Sequence, residues 1–247
     1  MSGHSKWANI KRRKAKVDAV KGTVFSRLTK EIMAVAKRGG GNPDTNFKLR
    51  LAIDKAKANN LPAANIERAI RRATGQEAGV NYEETVYEGY GPSGTAVYLD
   101  ILTDNRNRTA GEIRHIFSRH GGALGETGCV AWMFEAKGRL IITETAKTEE
   151  ELLNASIEAG ADDLSRDGED FVVLTNPDVL DQVRQAFVDQ GVAIEEAELV
   201  RIPKTTVAVQ GHEAQQILQL LDRLEEHDDV QHVFSNADLP DEIYDDS

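Results

Sequence analysis

Cations lead the inventory of groups that could do chemistry in this chain. Its first stretch reads SGHSKWANIKRRKAKVDAVKG, with Lys6, Lys11, Arg12, Arg13, Lys14, Lys16 and Lys21 against a single acid, Asp18. Residues 11–16 put charge on every side of any helix they form, so none of their faces can be buried without stranding a cation. The segment is therefore a solvated arm or a helix lying against a partner. Lys and Arg at this density suit a row of phosphates; the blander reading is a solvated charged face. Trp7 either docks on the adjoining domain or stacks on a base. A second cationic cluster, TDNRNRTAGEIRH, carries Arg106, Arg108 and Arg114 where a strand ends and a helix starts. Backbone N–H groups at a helix start attract anions, and arginine grips phosphate with two hydrogen bonds. Against that stands plain pairing of these arginines with the carboxylates around them.

Other chemistry has less support. The histidines, His4, His115, His120, His212, His227 and His232, show no metal-ligand spacing such as H-E-x-x-H. Cys129 is the one cysteine, which excludes a disulfide framework and a cysteine metal cluster and fits a reducing cytoplasm. It sits in an apolar stretch as a structural thiol. GYGPSG (89–94) matches G-x-G-x-x-G literally, but a strand follows it instead of a helix and Pro92 lies inside, so it reads as a hairpin turn. GGALGETG lacks the Lys-Ser/Thr of a phosphate loop, and no G-x-S-x-G elbow occurs. The expectation is a protein without enzymatic activity, cofactor, metal or small-molecule substrate.

Charge is segregated along the chain. The first 75 residues hold 18 Lys/Arg and 5 Asp/Glu, a net of +13; the remainder holds 12 and 36, a net of −24, giving −11 over 247 residues. A basic module that meets a polyanion, joined to an acidic body that does not, accounts for this asymmetry. The partner expected is nucleic acid, either DNA or ribosomal RNA within the ribosome. No apolar run approaches the ~20 residues of a membrane span. The start lacks the apolar core of a secretory signal, and Trp7 with the patterned helix behind it argues against a transit peptide.

The elements that must carry these groups are legible from periodicity. Apolar residues at 17, 20, 24, 28, 32 and 35 repeat at helical spacing until Gly39-Gly40-Gly41. Asn42-Pro43-Asp44 suits the start of a second helix running to about residue 59, and Pro62 the first turn of a third that ends at Gly75. Strands follow at 85–89 and 95–103, a helix at about 108–120, and a strand at 129–134. From Gly138 the order is β-α-β-β-α-β, the split βαβ or ferredoxin-like order. Its strands lie at 139–143, 161–164, 170–174 and within 192–201, its helices at 148–159 and 179–190. Strand 205–209, helix 213–226 and strand 230–234 close the chain. These predict an α+β protein of three domains. Residues 1–78 form a basic all-helical domain, 79–136 with 205–238 a discontinuous α+β middle domain, and 137–204 an inserted βαββαβ domain. An acidic tail, 239–247, follows.

SGHSKWANIKRRKAKVDAVKGTVFSRLTKEI, the GGGNP loop, NLPAANIERAIRR, YEGYGPSG, TDNRNRT and GGALGETGCVAWMF together resemble the YebC family, in order and over essentially the whole chain. The resemblance implies an N-terminal helical domain and two α+β domains, the last inserted in the middle one. It implies a cytoplasmic DNA-binding transcriptional regulator. A mitochondrial branch resembles a translational activator of cytochrome c oxidase subunit I, and bacterial relatives are linked to helping ribosomes through difficult nascent sequences. A ribosome- or RNA-binding translation factor is thus the alternative, and a protein-interaction scaffold the second. The family motif places Lys6, Trp7, Lys11, Arg12, Arg13, Lys14 and Lys16 at the nucleic-acid contact, with Arg106 and Arg108 as weaker candidates.

Overall fold

Apolar spacings of three and four produce the first helix of the computed structural model, α1 (Lys21–Gly39), whose Leu28, Ile32, Met33 and Ala36 are buried. The structure describes residues 21–77, 81–143, 145, 147–240 and 243. Lys6, Trp7, Lys11, Arg12, Arg13, Lys14 and Lys16 lie outside the described residues, as do the Lys21 side chain and most of the acidic tail. Against α1 pack α2 (Phe47–Ala58) and α3 (Ala63–Ala73), through Leu49, Ile53, Leu61 and Ile66.

The second helix starts later than the sequence suggests. Residues 42–45 form a turn, and the cap is Asn46 instead of Asn42. Asn46 Oδ1 accepts from Leu49 N (3.2 Å), while its Nδ2 donates to Val35 O (3.1 Å) and Gly40 O (2.9 Å). One buried amide thus closes the end of α1 and opens α2. Asn42 lacks that reach, and its side chain serves the turn by accepting from Asp44 N (2.9 Å).

In chain order the remaining elements are β1 (Glu83–Tyr90), β2 (Ala96–Thr103), α4 (Arg106–Arg119), β3 (Ala123–Leu124), β4 (Phe134–Ile142), α5 (Glu149–Ala159), β5 (Asp163–Asp167), β6 (Asp170–Thr175), α6 (Leu180–Asp189), β7 (Glu196–Pro203), β8 (Val207–Ala208), α7 (Gly211–Glu225), β9 (Val230–Ser235) and β10 (Ala237–Asp238). The described chain divides into two compact units. One spans 21–134 and runs on from Pro203; the other is Glu135–Ile202.

In the first unit a four-stranded sheet has the order β3-β1-β2-β9. β1 and β2 form an antiparallel hairpin from Glu83↔Thr103 to Tyr90↔Ala96, closed by GYGPSG. The glycines of that motif serve packing and turn geometry. A Cβ on Gly91 would lie 2.6 Å from Ile217 Cδ1 of α7, and Gly94 has φ +71°. Alternation along β2 feeds two cores. Val97, Leu99 and Ile101 pack with Ile113, Phe117, Ile217 and Leu221 of α4 and α7. Ala96 and Tyr98 face Val130 and Phe134. β8 pairs in parallel with β10 outside the four-stranded sheet, so the expected strand over 205–209 shrinks to two residues.

Residues 129–134 are not a strand. They make a turn and a 3-10 turn, Ala131–Met133, before β4 begins at Phe134. The Glu88 carboxylate explains the difference. It accepts from the backbone N–H groups of Gly128 (2.7 Å), Val130 (2.8 Å) and Ala131 (2.7 Å), which therefore need no neighbouring strand.

The second unit is a βαββαβ layer. Its strand order β5-β6-β4-β7, with β6 antiparallel to both β5 and β4, is the ferredoxin-like arrangement. Thr148 and Glu151 form a capping box at the start of α5. The protein is thus an α+β molecule with an N-terminal helical domain and two further domains.

Candidate nucleic-acid interface

The described cations of the helical domain fall into two groups. Arg27, Lys30 and Lys55 point at the segment around residues 227–232. Arg27 donates to His227 O (3.2 Å), Lys30 to Asp228 O (3.1 Å) and Asp229 Oδ1 (2.9 Å), and Lys55 Nζ lies 3.4 Å from His232 Nε2. The others face solvent, except Arg50, which is half-buried with its guanidinium over the Phe47 ring. Of these, Arg38 pairs with Glu84 (2.6 Å) and Arg71 with Glu77 (2.9 Å). Lys48, Lys57 and Arg68 are exposed and make no ion pair among the described residues.

Arg106 and Arg108 occupy the first turn of α4. Asn105 caps that helix by accepting from Arg108 N (3.1 Å), which uses up one of the N–H groups an anion would seek. Arg106 donates to Thr85 Oγ1 (3.0 Å), and its carbonyl accepts from Tyr87 Oη (2.9 Å). Arg108 makes three carboxylate contacts: Asp104 at 2.9 Å, Glu112 at 3.9 Å and Asp229 at 2.6 Å. The hydrogen bond that Arg108 donates to Asp229 is the chief reason its guanidinium is held above the usual arginine range.

Asp229 is the centre of this cluster, and the sequence did not mark it. It lies in an EEHDD run that looks like any solvated loop, yet the residue is 3% exposed. Its Oδ2 also accepts from Thr109 (2.8 Å) and Thr103 (3.2 Å), and its carbonyl accepts from Leu102 N (2.8 Å). Burial pushes the carboxyl pKa up, but hydrogen bonds from Lys30, Arg108 and Thr109 outweigh it and hold the group well below the usual carboxylate range. Asp229 N donates to His227 Nδ1 (3.1 Å), which leaves His227 Nε2 facing Glu112 Oε2 at 2.9 Å.

Glu112, His227 and Asp229 bring three donor atoms within 4.8 Å of one another, the spacing of a metal site. The chemistry of the set points elsewhere. Both Asp229 oxygens already face cations, Lys30 and Arg108, which a divalent ion would have to displace. The cluster is an ion-pair network joining α1, α4 and the loop before β9. The structure therefore places Arg108 in an ion-pair network and Arg106 at its edge, while the Lys6–Lys16 cations and the Lys21 side chain that the sequence singled out lie outside the described residues.

Known proteins resemble this chain over nearly all of its length. A "Probable transcriptional regulatory protein" of Dictyoglomus turgidum is 53% identical over 244 residues, 98% of each chain. One from Desulfitobacterium hafniense is 54% identical over 246 residues, again 98% of each. The crystal structure of a conserved hypothetical protein from Aquifex aeolicus superposes with a TM-score of 0.84 at 45% identity, over 92% of this chain and 94% of that one. The family model for the TACO1/YebC N-terminal domain matches residues 5–76, and the model for the TACO1/YebC second and third domain matches residues 82–237. On that match, which takes in the helical domain and both α+β domains, the chain belongs to the TACO1/YebC family.

Proposed function

We propose that this protein is a cytoplasmic, DNA-binding regulator of transcription that works by binding and not by catalysis. Its basic N-terminal region, led by Lys6, Lys11, Arg12, Arg13, Lys14, Lys16 and Lys21, contacts the phosphates, and Trp7 adds a stacking surface. The observation that carries this reading is the charge division: +13 over the first 75 residues against −24 over the rest. Cations that neutralise phosphates release condensed counterions, and that release drives binding. The acidic remainder repels the same polyanion and so limits contact to the basic region. The name carried by the curated relatives, "Probable transcriptional regulatory protein", agrees with it.

The test titrates a labelled 20-base-pair duplex and a ribosomal RNA hairpin with the full chain between 50 and 200 mM salt. Replacing Lys11, Arg12, Arg13 and Lys14 together by Ala should flatten the log–log salt dependence on DNA by about 3–4 units. Unchanged affinity and slope would remove the arm from the interface. Crosslinking in cells, followed by sequencing, chooses the polyanion. Promoter DNA supports this reading, and ribosomal RNA would replace it with a translation factor.

A further inference from the structure

The segment NLPAANIERAIRR begins in a rigid turn between α2 and α3. Asn60 takes a left-handed conformation, φ +60°, which asparagine tolerates better than most residues. Its N–H donates to Lys57 O (2.9 Å) and Leu61 N donates to Ala56 O (2.9 Å), the paired bonds of a Schellman closure. Leu61 then turns into the helical core and is buried. Pro62 follows with φ locked at −58°, and its carbonyl accepts from Asn65 N (2.8 Å) and Ile66 N (3.3 Å) as α3 starts. Residues 59–62 therefore fix the direction of α3 relative to α2. Both helices pack on α1 far more than on each other, so α1 is the brace. A helix, a tight turn and a second helix, braced by a third, is an arrangement that presents the second helix to the major groove of DNA.

The surface of α3 suits that role. Ile66 and Ala69 are buried, while Ala63, Ala64, Glu67, Arg68, Arg71 and Arg72 are exposed. The leading turn offers only methyl groups on this side, which keeps the helix slim where it would enter a groove. Behind it stand three arginines against one glutamate, and Arg71 lies 3.9 Å from that glutamate. Arg71 and Arg72 also share Glu77, whereas Arg68 makes no ion pair among the described residues. We infer that α2, the 59–62 turn and α3 form a helix-turn-helix reader of duplex DNA. α3 lies in the major groove, Arg68 donates to guanine O6 and N7, and Lys57, exposed beside the turn, meets a phosphate. This rests on the DNA-binding reading above and adds to it the part that chooses sequence. The arm meets phosphates of any sequence, and α3 selects bases. A duplex of RNA is not an equivalent occupant, because its major groove is too deep and narrow for side chains to read.

The test selects duplexes from a random-sequence DNA pool with the full chain, then measures binding to the selected site and to two analogues of it. Guanine replaced by 7-deazaguanine loses its major-groove N7 acceptor, and guanine replaced by hypoxanthine loses its minor-groove amine. Wild type should bind about fivefold or more weakly with 7-deazaguanine at one position and change less than about twofold with hypoxanthine there. Arg68→Ala should bind the native site about fivefold or more weakly and no longer sense 7-deazaguanine. Lys57→Ala should weaken binding to every duplex alike and still sense it. Arg68 is exposed and alanine is the best helix former, so Arg68→Ala should keep the wild-type circular dichroism and melting curve. Selection that enriches no sequence or a site without guanine, a wild type indifferent to 7-deazaguanine, or an Arg68→Ala chain that still senses it each overturn the inference. If the chain with Lys11, Arg12, Arg13 and Lys14 replaced by Ala loses salt-dependent duplex affinity at the same time, only this inference falls and the DNA-binding reading stands. A wild type that binds no duplex at low salt removes both.

Discussion

Replacing Asp229 by Asn tests whether the cluster that joins α1, α4 and the loop before β9 is held by charge. The substitution preserves shape but leaves Lys30 and Arg108 beside a neutral amide. The Asp229 and Lys30 side chains are 4% and 12% exposed, whereas that of Arg108 is 44% exposed. Removing one partner of a buried pair costs about 3–5 kcal/mol, and water around Arg108 argues for about 3 kcal/mol here. In a unit of this size that lowers the melting temperature by about 6–12 °C. The pH dependence adds a second check. A carboxyl whose pKa is depressed in the folded state stabilises above its unfolded pKa, and that stability drains as pH falls. With an unfolded value near 3.9, the gap between wild type and Asp229→Asn should narrow by about 1 kcal/mol between pH 7 and pH 3. Calorimetric melting across that range decides the matter. A variant melting within 2 °C of wild type at pH 7, or a gap unchanged at pH 3, would refute the electrostatic account.

Three further outcomes follow from single contacts. Glu88→Gln puts an NH2 where backbone N–H groups now donate and should cost about 2–3 kcal/mol, read by denaturant unfolding together with loss of protection at the Val130 and Ala131 amides. Asn46→Ala removes a helix cap and leaves Val35 O and Gly40 O without their donor, for about 2 kcal/mol; Asn46→Asp restores only the cap and should recover part of that loss. Gly138→Ala places a Cβ 2.3 Å from Thr175 Oγ1 and 2.9 Å from Leu180 Cβ, an overpacking of about 1–3 kcal/mol that should appear in the melting of the Glu135–Ile202 unit.

Periodicity revealed the elements wherever a segment had one buried face. The α1 stripe, the alternation of β2 and the βαββαβ order were all legible, because each is written by neighbours in sequence. Legibility failed where a distant side chain satisfied the backbone. Residues 129–134 have strand composition, but Glu88, some 40 positions earlier, supplies the acceptors a neighbouring strand would have supplied. Asn42 and Asn46 are equally good caps on composition, and only the second reaches back to Val35. The same holds at the candidate site. Pairing of Arg108 with neighbouring carboxylates such as Asp104 was one of the two readings the sequence offered, but its buried partner Asp229, 121 residues away, was not legible.

That partnership limits what net charge can say about binding. The +13 of the first 75 residues includes cations already committed within the molecule: Arg27, Lys30 and Lys55 toward residues 227–232, Arg38 to Glu84, and Arg71 and Arg72 to Glu77. Cations held this way release no counterions when nucleic acid arrives. The supply for phosphates is the seven Lys/Arg of the opening stretch plus Lys37, which meets only the neutral Asn81 amide, Lys48, Lys57 and Arg68, eleven in all. Even if all eleven engage, the log–log slope on duplex DNA should be no steeper than about −10. The double variant Lys48→Ala, Lys57→Ala flattens it by at most about 2 units. A steeper wild-type slope would mean that DNA pulls Lys30 or Arg38 out of its carboxylate pair. In that case Asp229→Asn, which frees Lys30 beforehand, should bind DNA more tightly than wild type at the same salt.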